Sequence, residues 1–387
     1  MFDFDKPVNR RNTYSLKWDV LDSELPMWVA DMDFETAPCV KEALKKRVEI
    51  GAYGYSVIPD EYFLSYKRFW ERRHNFSFSL DWMIFSTGVV PAISSIVRKI
   101  TTVAENVLIC SPVYNIFYNS IYNNGRNIIS SDLVYENGEY HIDFIDLEKK
   151  MKNPQTTLMI LCNPHNPIGK IWSREELSKI GHLAKENNVV VLSDEIHCDL
   201  VDNGYSYTPF QSVNDECKYN SITCIAASKC FNLAGLQSAC VVVPNDVLRW
   251  KVTRGLNTDE VAENNFFCVE ANIAALNDGE EWLNELNLYI EENKKIFKDF
   301  INNNIKELYV VPSHATYLLW IDCSKVCSDT EVLCDFIRAK TGLYITAGSE
   351  YGKNGASFVR INLATQRTNV IDGANRLKKG IELFLNK

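Results

Sequence analysis

Ser221-Ile-Thr-Cys-Ile-Ala-Ala-Ser-Lys229-Cys-Phe-Asn-Leu-Ala-Gly235 is an apolar run that ends at one lysine and passes into a turn of small residues. A lysine placed where a buried strand stops loses much of its hydration, which lowers its pKa and leaves a nucleophilic amine. That is the setting a Schiff-base lysine requires. Taken alone, Lys229 is equally an ordinary lysine at a strand end, so the weight falls on its neighbours. Val189-Val-Val-Leu-Ser-Asp194-Glu-Ile-His197 likewise carries a charged group just past a hydrophobic run. Open α/β sheets bind ligands at the carboxyl ends of their strands, so Asp194 and Lys229 are expected to face one crevice. Asp194 is either a helix N-cap or a buried carboxylate that needs a cation, such as a protonated pyridine nitrogen.

Outward from these two runs, the chain alternates short apolar segments with amphipathic ones. Strands are expected at 83–86, 106–110, 157–161, 189–193, 222–226 and 239–243, with helical patterns at 91–100 and 174–187 between them. Nearly continuous Val/Ile/Leu runs suit strands buried on both faces of a parallel sheet covered by helices. The fold class is therefore α/β. From about Glu280 the pattern changes: Leu283, Leu286, Ile290, Phe297 and Phe300 mark one face of a long helix running to about Asn304. Beyond it, strands at 316–322 and 357–362 and helices at 329–340 and 370–385 predict a smaller α+β unit. The expected division is a large domain at 48–280 and a small domain built from 281–387, with residues 1–47 as an irregular N-terminal arm.

A chain of 387 residues exceeds the usual size of one core, which agrees with two domains. Its net charge of −9 argues against a nucleic-acid or anionic-membrane surface, and no apolar run approaches the length of a membrane span. The N-terminus carries charges and has no long apolar stretch, so no signal peptide is expected. Twelve cysteines lie singly, mostly inside apolar runs, and no His or Cys pair completes a metal site near Cys323 and Cys327. Buried, reduced thiols in a cytoplasmic protein without a metal are the expectation.

Four further stretches carry polar groups at strand ends. Asn163-Pro-His165-Asn166-Pro-Ile-Gly169 is a tight turn that holds Asn166 rigidly, as an acceptor oxygen on a ligand would require. Ser86-Thr87-Gly88-Val89-Val90-Pro-Ala92 reads as strand, glycine turn and helix start, whose free N–H groups suit a phosphate, although a plain strand–helix turn accounts for it too. Ser111-Pro-Val-Tyr114 places a ring after a strand, either for packing or for stacking on a flat cofactor. Phe358-Val-Arg360-Ile-Asn362 buries a guanidinium that needs a carboxylate, from the protein or from a substrate.

In this order the motifs resemble the fold-type I pyridoxal-phosphate enzymes, nearly end to end from Trp28-Val-Ala-Asp-Met-Asp-Phe34 to Arg367. Within them the chain is most similar to the MalY/PatB group of carbon–sulfur lyases, which includes cystathionine β-lyases and cystalysin-like cysteine desulfhydrases. The resemblance implies a mostly parallel seven-stranded sheet and pyridoxal 5'-phosphate as cofactor. It implies that Lys229 forms the Schiff base and shuttles the α-proton, Asp194 pairs with the pyridinium nitrogen, and Asn166 bonds the phenolic oxygen. Tyr114 would stack on the ring, Gly88, Val89, Val90 and Ser228 would hold the phosphate, and Arg360 would grip the substrate carboxylate. Tyr55 would reach the phosphate from a neighbouring subunit, implying a homodimer with shared active sites.

His197 bears on the reaction. Aminotransferases of this fold usually carry tyrosine three residues after the aspartate, whereas the lyase group carries histidine beside the cofactor. The implied activity is α,β-elimination on a small sulfur amino acid. An aminotransferase on the same fold, or a regulatory protein retaining it without catalysis, are the alternatives. The chain departs from the group at Ala227, Cys230, Ile168, His314 and Gln366, of which Cys230 and His314 are expected near the site.

Overall fold

The computed structural model describes residues 2–387. Its central sheet has seven strands in the order Met83–Ser86, Ala239–Val242, Ser221–Ile225, Val190–Asp194, Thr156–Cys162, Asn106–Ile109 and Asn127–Ser130. Ala239–Val242 runs antiparallel to both neighbours, and the remaining pairings are parallel. Alternation along Thr156–Cys162 explains why the sheet is covered twice. Leu158 and Ile160 enter a core with Ile93 and Ile96 of helix Val89–Ile100. Met159 and Leu161 enter another with Leu177 and Ile180 of helix Arg174–Glu186. Burying each such side chain contributes about 1.5–3 kcal/mol. Residues facing helices on both sides read in sequence as uninterrupted apolar runs.

A second sheet of four antiparallel strands orders as Tyr309–Val310, Leu318–Asp322, Phe358–Asn362 and Thr346–Ala347. Helices Thr330–Thr341 and Arg367–Leu385 close a separate core over it. Helix Glu280–Asn304 serves both cores: Leu283, Leu286 and Ile290 pack with the aromatic cluster around Trp70 and Phe85, Phe297 and Ile301 with the second sheet. The expected face is thus the buried one, except that Phe300 is only partly covered.

The first 45 residues are less irregular than expected. Leu25–Pro26 pairs in parallel with Leu343–Tyr344, and helix Pro38–Glu49 starts with its proline in the first turn, where no N–H is needed. Only Val40 of that helix is buried, so there was no apolar stripe to read. The edge strand Asn127–Ser130 was missed for a similar reason, having no fully buried residue. All twelve cysteines are free, ten of them buried. Among the described residues no helix is long and apolar enough to cross a membrane.

Candidate active site

The parallel register sets Asp194 beside Cys162 on one side and Cys224 on the other, so acid and lysine emerge from adjacent strands at one edge. There they meet a cavity of about 230 Å³, whose wall includes Gly88, Val89, Val90, Tyr114, Asn166, Asp194, His197, Ser228 and Lys229. The topology has therefore gathered nine residues expected at the site. A larger cleft of about 590 Å³ lies by Asp199 and Tyr207. Its buried carboxylate is already matched, with His74 Nε2 at 2.8 Å and Arg73 Nε at 3.2 Å from Asp199 Oδ1. His74, Cys198 and Asp199 are close enough to hold a metal, but the Arg73 guanidinium occupies that carboxylate. The smaller cavity instead holds charged groups, Asp194 and Lys229, that form no ion pair with any described residue.

Lys229 Nζ donates to the carbonyl of Ala30 at 2.6 Å. Burial holds its pKa down to about 8; Arg360 acts in the same direction, while Asp31 and Asp194 oppose it. Asp194 is 3% exposed, and its Oδ1 accepts the N–H of Ile196 at 3.2 Å. No described cation lies within ion-pair distance of it, and burial pushes the carboxyl up to about 7. A pyridinium-type cation fits this carboxylate, which the protein leaves without a counter-charge.

Helix Val89–Ile100 opens at Gly88 without a side-chain cap, so its first N–H groups face the cavity as a ready anion cradle. Gly88 has φ +147°, a conformation L side chains rarely adopt, and a Cβ there would press on Pro91 Cδ at 3.3 Å. Tyr114 presents its ring to the same space, its hydroxyl pushed up to about 12 by burial. His197 is buried and neutral: burial, then the charges of Lys229 and Arg360, lower it to about 3, and its Nδ1 has no partner.

Arg360 lies buried beside the cavity rather than on its wall. Its Nη2 donates to Trp28 O at 2.8 Å and its Nη1 to Asn166 Oδ1 at 3.4 Å, while Nε is unpartnered. Among the described residues no carboxylate forms an ion pair with it. A guanidinium buried with only neutral acceptors is arranged for a ligand carboxylate. Tyr55 is fully exposed and touches no part of this cavity.

Two expectations are corrected. His314 does not line the cavity; it stacks on Tyr205 at 3.7 Å, held where its N–H meets Gly169 O. Cys230 follows Lys229 but points away, its thiol turned back to Ala227 O at 3.5 Å. The opposite sides of the turn carry the two neighbours apart. Sequence reading also missed Ala30, Tyr317, Gln237 and Ser238. The 28–34 motif was the available signal for Ala30, but a backbone carbonyl leaves no mark in the sequence.

The family model for aminotransferase class I and II matches residues 25–377. The chain belongs to that family. It is 39% identical to cystathionine beta-lyase PatB of Bacillus subtilis (strain 168), covering 98% of this chain and all of that protein. It is 30% identical to protein MalY of Escherichia coli (strain K12), covering 100% of this chain and 98% of that one. Among solved structures, cystalysin from Treponema denticola, which contains a pyridoxal 5'-phosphate cofactor, superposes with a TM-score of 0.95 at 33% identity over 99% of each chain. The fold is that of the aminotransferase-like, fold-type I enzymes.

Proposed function

We propose that this family member is a pyridoxal-phosphate-dependent carbon–sulfur β-lyase. Its substrates are cystathionine, cysteine or related S-substituted cysteines, and each turnover consumes one water and releases a thiol or sulfide, pyruvate and ammonia. The observation that carries the reading is the buried, uncompensated Asp194 carboxylate behind a cavity fronted by Lys229. Likeness over the whole length to PatB favours the lyase over amino transfer.

The groups that would hold the cofactor are the Gly88–Val89–Val90 cradle and Ser228 for the phosphate, Asp194 for the ring nitrogen, Asn166 for the phenolic oxygen, and Tyr114 and His197 around the ring. Tyr55 would come from a second copy in a homodimer, which accounts for a fully exposed tyrosine. When bound, pyridoxal phosphate supplies an electron sink for the charge left at the substrate α-carbon. Asp194 holds a proton on the ring nitrogen, Arg360 fixes the α-carboxylate, and Lys229 Nζ takes the α-proton. Residues 48–280 would form the cofactor-holding domain, 281–387 with 1–47 the smaller one, in a cytoplasmic protein.

Incubation with cystathionine or cysteine, without any keto acid, should yield pyruvate over many turnovers. A single turnover that leaves the pyridoxamine form of the cofactor and the keto acid of the intact substrate would assign amino transfer, as would a new amino acid once a keto acid is added. Arg360→Lys should raise KM about 10–100-fold with a smaller change in kcat, because a point charge cannot bond both carboxylate oxygens in parallel. Steady-state pyruvate kinetics check this, and an unchanged KM would remove Arg360 from the substrate.

A further inference from the structure

The Ala30 carbonyl accepts two donors: Lys229 Nζ at 2.6 Å and the Tyr317 hydroxyl at 2.9 Å. The carbonyl itself does not need Tyr317 to hold it. Asn362 Nδ2 bonds Val29 O and Asp31 O, each at 2.6 Å, and Arg360 bonds Trp28 O, so the segment is pinned on both sides of Ala30. A second donor on a pinned oxygen therefore does not position it. That donor draws on the electron density that would otherwise hold the lysine ammonium.

The chain aims Tyr317 at this oxygen by unusual means. Thr316 has φ +66°, a left-handed conformation that is an outlier for a β-branched residue. It is held there by Leu200 O, which accepts its N–H at 2.7 Å, and by the buried Lys294, which reaches Thr316 O at 3.4 Å and is paired to Asp202. Backbone strain retained beside reactive groups points to a role for the side chain it directs. Tyr317 is completely buried, and its hydroxyl bonds no other described group than the Ala30 carbonyl.

Resting on the lyase reading of this cavity, we propose that Tyr317 is a positioning residue for Lys229: by sharing the Ala30 carbonyl it weakens that oxygen's hold on the ammonium and so favours the neutral, mobile amine. The other groups facing Lys229 are Asp31 from the N-terminal segment, Asp194 from strand Val190–Asp194, Arg360 from strand Phe358–Asn362, neutral His197, and the Tyr114 phenol. The two carboxylates favour the charged amine, so Tyr317 acts with Arg360 and with burial against them.

The test is Tyr317→Phe, which removes one oxygen. Pyridoxal phosphate is added to cofactor-free protein, and the rate of its capture is followed by absorbance across pH. Capture needs the neutral amine, so its pH midpoint reports Lys229. The midpoint should rise by about 0.5–1 unit, slowing capture about 3–10-fold at neutral pH and leaving it unchanged well above the midpoint. The acid limb of kcat should move the same way with KM constant. A merely structural role would lower the rate equally at every pH; that result, or an unmoved midpoint, overturns the proposal. Should Tyr317→Phe not fold, Thr316→Gly keeps the left-handed backbone while loosening the aim, and should shift the midpoint in the same direction. Wild-type protein that never captures the aldehyde would instead defeat the lyase reading itself.

Discussion

Lys229→Ala is expected to release pyruvate at least about 10⁴-fold more slowly than the wild type, even with saturating pyridoxal phosphate. The loss should be this large because the cavity offers no substitute base. His197 is held neutral down to about 3, so it is too weak a base to take an α-proton. Tyr114 keeps its hydroxyl proton up to about 12. Asp194 is poised near 7, but its place is at the end of strand Val190–Asp194, fixed by the N–H of Ile196. Only the Lys229 amine, brought down to about 8 by burial, combines basicity with a long mobile stem. Pyruvate release within a hundredfold of wild type would show that another group moves the proton.

Asp194→Asn is expected to lower kcat about 10³-fold while leaving KM near its wild-type value. A carboxylate about 4 Å from a cation is worth about 4 kcal/mol at an effective dielectric of 20, which corresponds to roughly three powers of ten in rate. The amide has nearly the same shape, so packing against Cys162 and Cys224 survives and Arg360 still meets the substrate. Cofactor affinity should fall as well, read from the fraction lost on dialysis. A kcat within tenfold of wild type would mean that the ring nitrogen does not depend on this charge.

How far the sequence reached can be judged from particular elements. Strand Met83–Ser86 and helix Glu280–Asn304 fall where periodicity placed them, because their apolar residues face cores and little else determines them. Helix Pro38–Glu49 was not visible, since one buried valine is no pattern. At the site, Lys229, Asp194 and Asn166 were legible as polar groups ending apolar runs. Their convergence was legible too, because parallel strands end at one edge. His314 was misplaced because its position in the group's pattern says nothing about its contacts, and the fold stacks its ring on Tyr205 and bonds its backbone N–H to Gly169 O.

By itself the sequence determined the α/β layering, which follows from local burial patterns, and it placed Lys229 at the end of a buried apolar run. It also determined the family, through motifs spread along the whole chain. Only the tertiary structure decided that Asp194 and Arg360 form no ion pair with any described residue, and that Lys229 shares the Ala30 carbonyl with Tyr317. Those facts depend on groups far apart in the chain, such as Lys229 and Ala30, 199 residues from each other. Periodicity records how deeply a residue is buried. Which partner meets it there is set by how the two cores pack together across helix Glu280–Asn304 and the N-terminal segment.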